Sequence, residues 1–321
     1  MKVAFFTEIP HNGVKIPRTH RNMRTEFAWM SALEADHFNV QKPDFTVEDV
    51  EEIYDLGIVI IPKKNPNFDA KELKKKCKVL ASMQEGPHWY FQDYDLPMQM
   101  WYSTILQEMD FLFVHNKIDQ KYFSGITGKK CFVLPSLMIE DGILAEDLIK
   151  GGILRNPNRE AVMIGGNFCS WYGGFDSFLV AQEFGQATYA PSMGRKIDGE
   201  DKIQGLTHLP YLEWKDWIIN LSKCKYGVHL MRTHAAGTFA LNCAFLGIPC
   251  IGYKGLDTQE ICHPETTVAL GDMIHAREIA RKLREDSEFY EQCAEQSRKL
   301  YNSNYDEAIF LETFRNNMEK I

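Results

Sequence analysis

The sequence predicts an α/β protein made of two doubly wound halves, each a parallel sheet covered by helices on both faces. Three observations carry this expectation. Short apolar, β-rich runs alternate with segments of helical period along almost the whole chain. The alternation breaks once, in a stretch rich in Gly, Pro, Asn and charge, and then restarts with a strand that runs into a glycine turn. Finally, 321 residues is about twice an ordinary domain, so two cores are expected rather than one.

Taken in order, Lys2 to Phe6 reads as the first strand and Arg21 to Ala35 as an amphipathic helix. Strands follow at Leu56 to Ile61, Val79 to Met83, Phe111 to His115 and Cys131 to Leu134, with a helix at Pro97 to Glu108. Most of these runs are apolar throughout instead of alternating, the pattern of strands buried on both faces. The break is Lys150 to Arg159, which divides the chain into domains of 1–152 and 153–300. Beyond it come strands at Ala161 to Ile164, Gln186 to Tyr189, Tyr226 to Leu230 and Pro249 to Tyr253, and a helix at Trp214 to Ser222. The tail from Asp272 to Ile321 is helical by period and charge pairing, with a cap at Asn302 or Ser303 that sets 301–321 apart as a last helix.

Composition narrows the function classes. Lys and Arg number 36 against 44 Asp and Glu, and the net charge of -8 excludes a globally basic nucleic-acid binder while leaving room for a local basic patch. The apolar runs are too short to span a bilayer, and Met1-Lys2-Val3-Ala4-Phe5-Phe6 enters a strand without a signal-peptide layout, so a cytoplasmic protein is expected. The eight cysteines are scattered, with no Cys-x-x-Cys and no zinc-finger spacing; they read as small core residues in a reducing compartment.

In doubly wound sheets ligands gather at the carboxyl ends of the strands, and anions favour helix N-termini. The most informative loop there is Arg232-Thr233-His234-Ala235-Ala236-Gly237-Thr238, between the strand ending near Leu230 and a helix that stops at Gly247 before Pro249. Ala235, Ala236 and Gly237 let a phosphate approach the backbone, Thr238 adds a hydroxyl in the first turn, and His234 and Arg232 supply polar or positive partners.

This segment resembles the donor-binding βαβ unit of two-Rossmann, GT-B type glycosyltransferases, whose helix ends in an Ala-x-x-Gly-x-Pro pattern matched by Ala244, Gly247 and Pro249. In the inverting branch of that family a His eight residues before a Glu contacts the donor diphosphate, and the Glu holds the ribose. Here the two positions are His234 and Asn242. In the retaining branch both are Glu. The resemblance thus implies two Rossmann-like domains facing a cleft, with the C-terminal helix crossing back onto the first. It assigns Arg232, His234, Ala236, Gly237, Thr238 and Asn242 to a nucleotide-sugar donor, UDP-sugar first, with the amide of Asn242 in place of the ribose carboxylate.

The loop from Gly165 to Ser177 resembles the first βα unit of the same family's donor domain and places Gly166 beside the donor. It carries no Arg or Lys, so Arg232 or the Arg195-Lys196 pair would substitute, and Trp171 or Tyr172 is either a base-stacking or an interface residue. Near the amino end, the resemblance to the inverting branch implies that the loop after the first strand presents a general base, His11, with Gly13 beside it; a surface or turn-capping His is the alternative. The same loop holds Lys15, Arg18, Arg21 and Arg24 with no acid between Glu8 and Glu26, a charge that suits phosphate or is simply solvated. Glu85, His88 and Asp93, in an aromatic stretch after the third strand, are rival bases. Asp93-Tyr94-Asp95 has a metal-binding spacing but sits in a loop rather than on a strand end, and no metal ligand is assigned.

The function implied is metal-independent transfer of a sugar from a nucleotide sugar to the hydroxyl of a soluble glycan, a small molecule or a hydroxymethylated DNA base, without membrane association. A non-catalytic nucleotide-binding module and a sugar-phosphate epimerase are the alternatives.

Overall fold

The computed structural model describes residues 1–10, 14–42, 44–65, 67–84, 86, 88–142, 144, 156, 158–169, 171–192, 197–234 and 236–321, with the backbone alone at 89 and 90. The chain forms two compact units. The first comprises 1–20, 25–136 and 310–321, and the second 21–24 and 137–309.

The first unit runs β1 (Val3–Thr7), α1 (Thr25–Ala32), β2 (Asp36–Asn39), β3 (Tyr54–Val59), α2 (Ala70–Leu73), β4 (Cys77–Met83), α3 (His88–Gln92), α4 (Leu96–Glu108), β5 (Phe111–Val114), α5 (Lys117–Thr127) and β6 (Cys131–Val133). Its six strands are parallel in the order β2-β1-β3-β4-β5-β6, so the winding reverses between β1 and β3. All five residues of β1 are buried, with Phe6 in register with Phe38 on one side and Val59 on the other. Helix α4 starts where Asp95 accepts a hydrogen bond from the Met98 amide at 2.9 Å and Pro stands in the first turn.

The second unit runs β7 (Glu160–Ile164), α6 (Gly174–Ala181), β8 (Thr188–Ala190), β9 (Leu206–His208), α7 (Trp214–Leu221), β10 (Cys224–His229), α8 (Thr238–Leu246), β11 (Cys250–Tyr253), α9 (Asp257–Cys262), β12 (Thr267–Val268), α10 (Met273–Glu285) and α11 (Ser287–Asn304). Its parallel sheet has the order β12-β11-β10-β7-β8-β9, which read from the β9 edge is the 3-2-1-4-5-6 order of a dinucleotide-binding fold. The switch point lies between β7 and β10. Helix α8 is buried all round from Phe239 to Leu246, and every side chain in that span but Asn242 is apolar. Gly247 ends it in the left-handed conformation.

The last helix, α12 (Glu307–Met318), belongs with the first unit from Phe310 onward. Phe310 lies 5.7 Å from the Trp29 ring, Phe314 lies 5.9 Å from Phe113, and Asn317 Nδ2 donates to the Val133 carbonyl.

The long apolar runs of the sequence are all strands here, but β2, β9 and β12 were not expected. They are short edge strands, half-buried and partly polar, so no continuous apolar run announces them. The first helix is shorter than its pattern, with positive φ at Thr25 and at Glu34 beyond its end, and Arg21–Arg24 joins the second unit. Asn302 and Ser303 are not caps but lie inside α11; the caps are Asp272, Asp286 and Asp306. The units divide after Ser136, ahead of the expected seam at 152, because Leu137, Met138 and Ile139 are already buried. Met138 Sδ accepts from Asn242 in the second core, and Glu140 accepts from Tyr301. Most of the Lys150 to Arg159 stretch lies outside the described residues.

Phe310 is 1% exposed. Phe310→Ala is expected to destabilise the first unit by about 3–5 kcal/mol, against less than about 0.5 kcal/mol for the surface change Ile274→Ala, both read by equilibrium urea unfolding.

Candidate functional site

At the switch point of the second sheet, two loops leave neighbouring strands and are laced together. The Leu230 amide donates to Ser177 Oγ at 2.9 Å, and that hydroxyl donates to the Gly173 carbonyl at 2.8 Å. Gly173 has φ 61°, and a Cβ there would run into the Leu230 carbonyl oxygen, so only glycine allows this approach. Further out, Arg232 pairs with Asp176 at 2.9 Å and Thr233 Oγ1 donates to the Trp171 carbonyl.

These contacts position the start of α8. Gly237 is its N-cap residue, with φ 67°; no side chain caps the helix and no acid stands in its first turn. The amides of that turn and the positive end of the helix dipole therefore form a site suited to an anion. Thr258 fixes the turn from behind by donating to the Gly237 carbonyl at 3.0 Å, and a Cβ on Gly237 would collide with its hydroxyl. His234 lies against bare backbone at Gly255, where a Cβ would meet its Nε2, and Gly255 is held by Glu260. Thr238 and Ala236 are half-buried beside it. Gly166 packs against Tyr172, and the space beside Gly165 is filled by His229 and Phe239.

Asn242 departs from its expected role. It is buried, its Oδ1 accepts from Trp217 Nε1 at 2.8 Å, and its Nδ2 donates to Met138 Sδ at 2.8 Å. It is a core amide tying α7 to α8, not an open ribose ligand. Arg232 is mostly exposed, and its charge is shared with Asp176. The basic amino-end loop is also engaged: Arg21 pairs with Glu213 at 3.3 Å, and Arg24 donates to the Leu212 carbonyl at 2.7 Å. Those two cations hold the segment before α7 in place.

His11, Gly13, Glu85 and the Arg195-Lys196 pair lie outside the described residues, as does Ala235. Asp93 is exposed just beyond α3, while Asp95 caps α4. Among the described residues no group of three or more His, Cys, Asp or Glu is placed to hold a metal ion.

Two carboxylate–imidazole pairs form in which the sequence had named His88 alone. Glu200, ahead of β9, is 3% exposed, and its Oε1 lies 2.6 Å from Nε2 of His208 at the end of that strand. In the first unit, His88 Nδ1 lies 2.7 Å from Asp119 Oδ1. Each pair joins residues from separate elements, and only His88 could be nominated from its loop. Beneath the aromatic residues Phe91, Tyr94 and Tyr102 is a cavity of about 20 Å³, lined also by Gln84, which accepts from Tyr102. That is room for one water, not a sugar.

Burial lowers His115, His229 and His263 to about 4 from an ordinary 6.5. The unfolded chain therefore binds more protons than the folded one between those values, and stability falls as pH falls through that window. Each histidine is expected to contribute about 1.4 kcal/mol of loss per pH unit below 6.5, flattening near 4, as measured by urea unfolding across pH.

No family model and no curated protein matches the sequence. Solved structures do match its fold. HepE from Anabaena, solved in complex with UDP-glucose, superposes over 100% of both chains with a TM-score of 0.69 and 11% identity. An alpha-glucosyltransferase in complex with UDP and a 13-mer DNA containing an HMU base covers 99% of both chains at TM-score 0.61 and 11% identity. Sucrose-phosphate synthase from Thermosynechococcus elongatus matches 83% of this chain and 73% of its own at TM-score 0.61 and 13% identity. The fold is thus the two-Rossmann GT-B architecture that these proteins share.

Proposed function

We propose that this chain is a glycosyltransferase that takes a sugar from a uridine diphosphate sugar and passes it to a hydroxyl. The observation that carries this reading is the acid-free, uncapped N-terminus of α8 at the switch point of a 3-2-1-4-5-6 sheet. Full-length likeness to HepE, solved with UDP-glucose, supports the donor. In this reading the diphosphate rests on the amides of Thr238 and Phe239, with the Thr238 hydroxyl and His234 as further donors, and Ala236 and Gly237 leave it room. Those groups stabilise the negative charge that develops on the departing diphosphate, and no divalent cation is required for that task. Gly166 and Arg232 form the outer wall.

For the acceptor, the hydroxyl of a soluble glycan or small molecule is favoured over DNA. The net charge is -8, and Arg21 and Arg24 are engaged with Glu213 and Leu212. A hydroxymethylated DNA base is the second reading, supported by the DNA held by the alpha-glucosyltransferase of the same fold. Among the described residues no helix is long and apolar enough to cross a membrane.

Calorimetry with UDP and assay of UDP release from a panel of UDP-sugars, with and without hydroxymethylated DNA, test the reading. UDP is expected to bind with micromolar affinity and to be released on turnover, and excess EDTA is expected to leave the rate unchanged. Binding without turnover would instead favour a nucleotide-binding module, and epimer formation without acceptor an epimerase. His234→Ala is expected to weaken UDP binding by about tenfold, roughly 1.4 kcal/mol. Unchanged affinity and unchanged turnover would remove His234 from the diphosphate site.

A further inference from the structure

We infer that His229 is a buried counter-charge for the candidate anion site, a neutral imidazole in the free protein that takes up a proton from solvent when a diphosphate settles on the first turn of α8. The inference rests on the glycosyl-transfer reading above and concerns the second unit alone. His229 is the last residue of β10, and its side chain fills the space beside Gly165, just beyond the end of β7. Its ring also meets the Phe239 ring edge-on, with centroids 5.3 Å apart at 74°. Phe239 is the second residue of α8, and its amide is one of the two proposed to hold the diphosphate. The imidazole therefore lies where the switch point of the sheet meets the uncapped helix start.

His229 is 7% exposed, and among the described residues neither of its ring nitrogens has a hydrogen-bond partner. An apolar side chain of similar size would fill the same space without leaving two polar atoms unpaired, so packing alone does not account for a histidine here. His263, buried beside the same helix, shows the ordinary arrangement: its Nε2 donates to the Ala240 carbonyl at 2.9 Å. A fixed cation at position 229 would be a buried, unpaired charge whenever the site is free. An imidazole avoids that cost by staying neutral until an anion arrives.

The surrounding elements leave the ring uncharged in the free protein. Burial lowers it to about 4, and no charged neighbour contributes. Glu160 on β7 and Lys225 on β10 stand at the opposite ends of their strands. Cys224 and Tyr226 on β10, Cys243 on α8 and Tyr253 on β11 are all raised by burial and stay neutral, and the Cys250 thiol of β11 shares a hydrogen bond with Cys243. Of the nearby loop groups, Asp176 and Arg232 offset one another, and His234 lies against Gly255. A bound diphosphate changes this balance. Two negative charges at about 10 Å, in surroundings of effective dielectric about 20, favour the imidazolium by about a hundredfold. The ring then takes its proton at about one hundredth of the proton concentration that the free protein needs, and binding tightens as pH falls, by about fourfold from pH 7.5 to 5.5.

The test is calorimetry of UDP-glucose binding, without acceptor, in buffers of differing ionisation enthalpy at about pH 5.5 and 7.5, with thermal unfolding measured alongside. UDP-glucose is the probe because its diphosphate, unlike the terminal phosphate of UDP, has no group that titrates near about pH 6. Expected for wild type and for His234→Ala is uptake of about 0.7 proton per ligand at the lower pH and less than about 0.1 at the higher. His229→Leu is expected to lose that uptake and to bind about fourfold more weakly than wild type at the lower pH. Should the leucine variant not fold, His229→Gln gives the same reading. Uptake below about 0.2 proton in wild type, its loss in His234→Ala, or its persistence in a folded His229 variant overturns the inference and leaves the donor reading standing. Failure of UDP-glucose to bind at either pH overturns the donor reading itself, and this inference with it.

Discussion

One hydroxyl, that of Ser177, lies between the two loops that define the second unit's ligand edge. It donates to the Gly173 carbonyl and accepts from the Leu230 amide, and it is fully buried. β7 and β10 are adjacent, but the chain leaves them toward helices that wind in opposite directions, so their loops would part without such a bridge. Gly173, which has no Cβ to obstruct the Leu230 carbonyl, is the other half of the same constraint. The start of α6, the Arg232–Asp176 pair and the approach to α8 are all built outward from this contact.

The candidate anion site that follows is made of backbone more than of side chains. Its donors are amides of a helix whose own core is fully buried, and its shape is set by Gly237 and Thr258. Rigid backbone donors need no reorganisation when charge develops on a ligand, which is what makes them effective in group transfer. In the first unit, Asp119 meets the His88 ring while its own amide is held by Asn116, the N-cap of α5.

Part of the candidate site was legible in the sequence for a physical reason. Glycines and small residues between an apolar strand and an apolar helix can do little but turn tightly, and Gly237 at the start of α8 shows that directly. Asn242 shows the limit. Its spacing from His234 suggested a ribose ligand, yet its partner Trp217 lies on a helix whose distance in space no spacing encodes. The basic loop shows the same limit: Arg21 and Arg24 cluster in sequence, but the Glu213 carboxylate and Leu212 carbonyl that engage them come from nearly two hundred residues away.

The sequence by itself determined the layer architecture, the central strands and the glycine turn that opens α8, because these depend on hydrophobic period and on residues a few positions apart. Only the tertiary structure decided the edge strands, the division after Ser136, the core role of Asn242 and the meeting of His88 with Asp119. Each of these depends on which elements become neighbours once the sheets are wound. That information resides in packing and hydrogen bonding between distant residues, and no local pattern carries it.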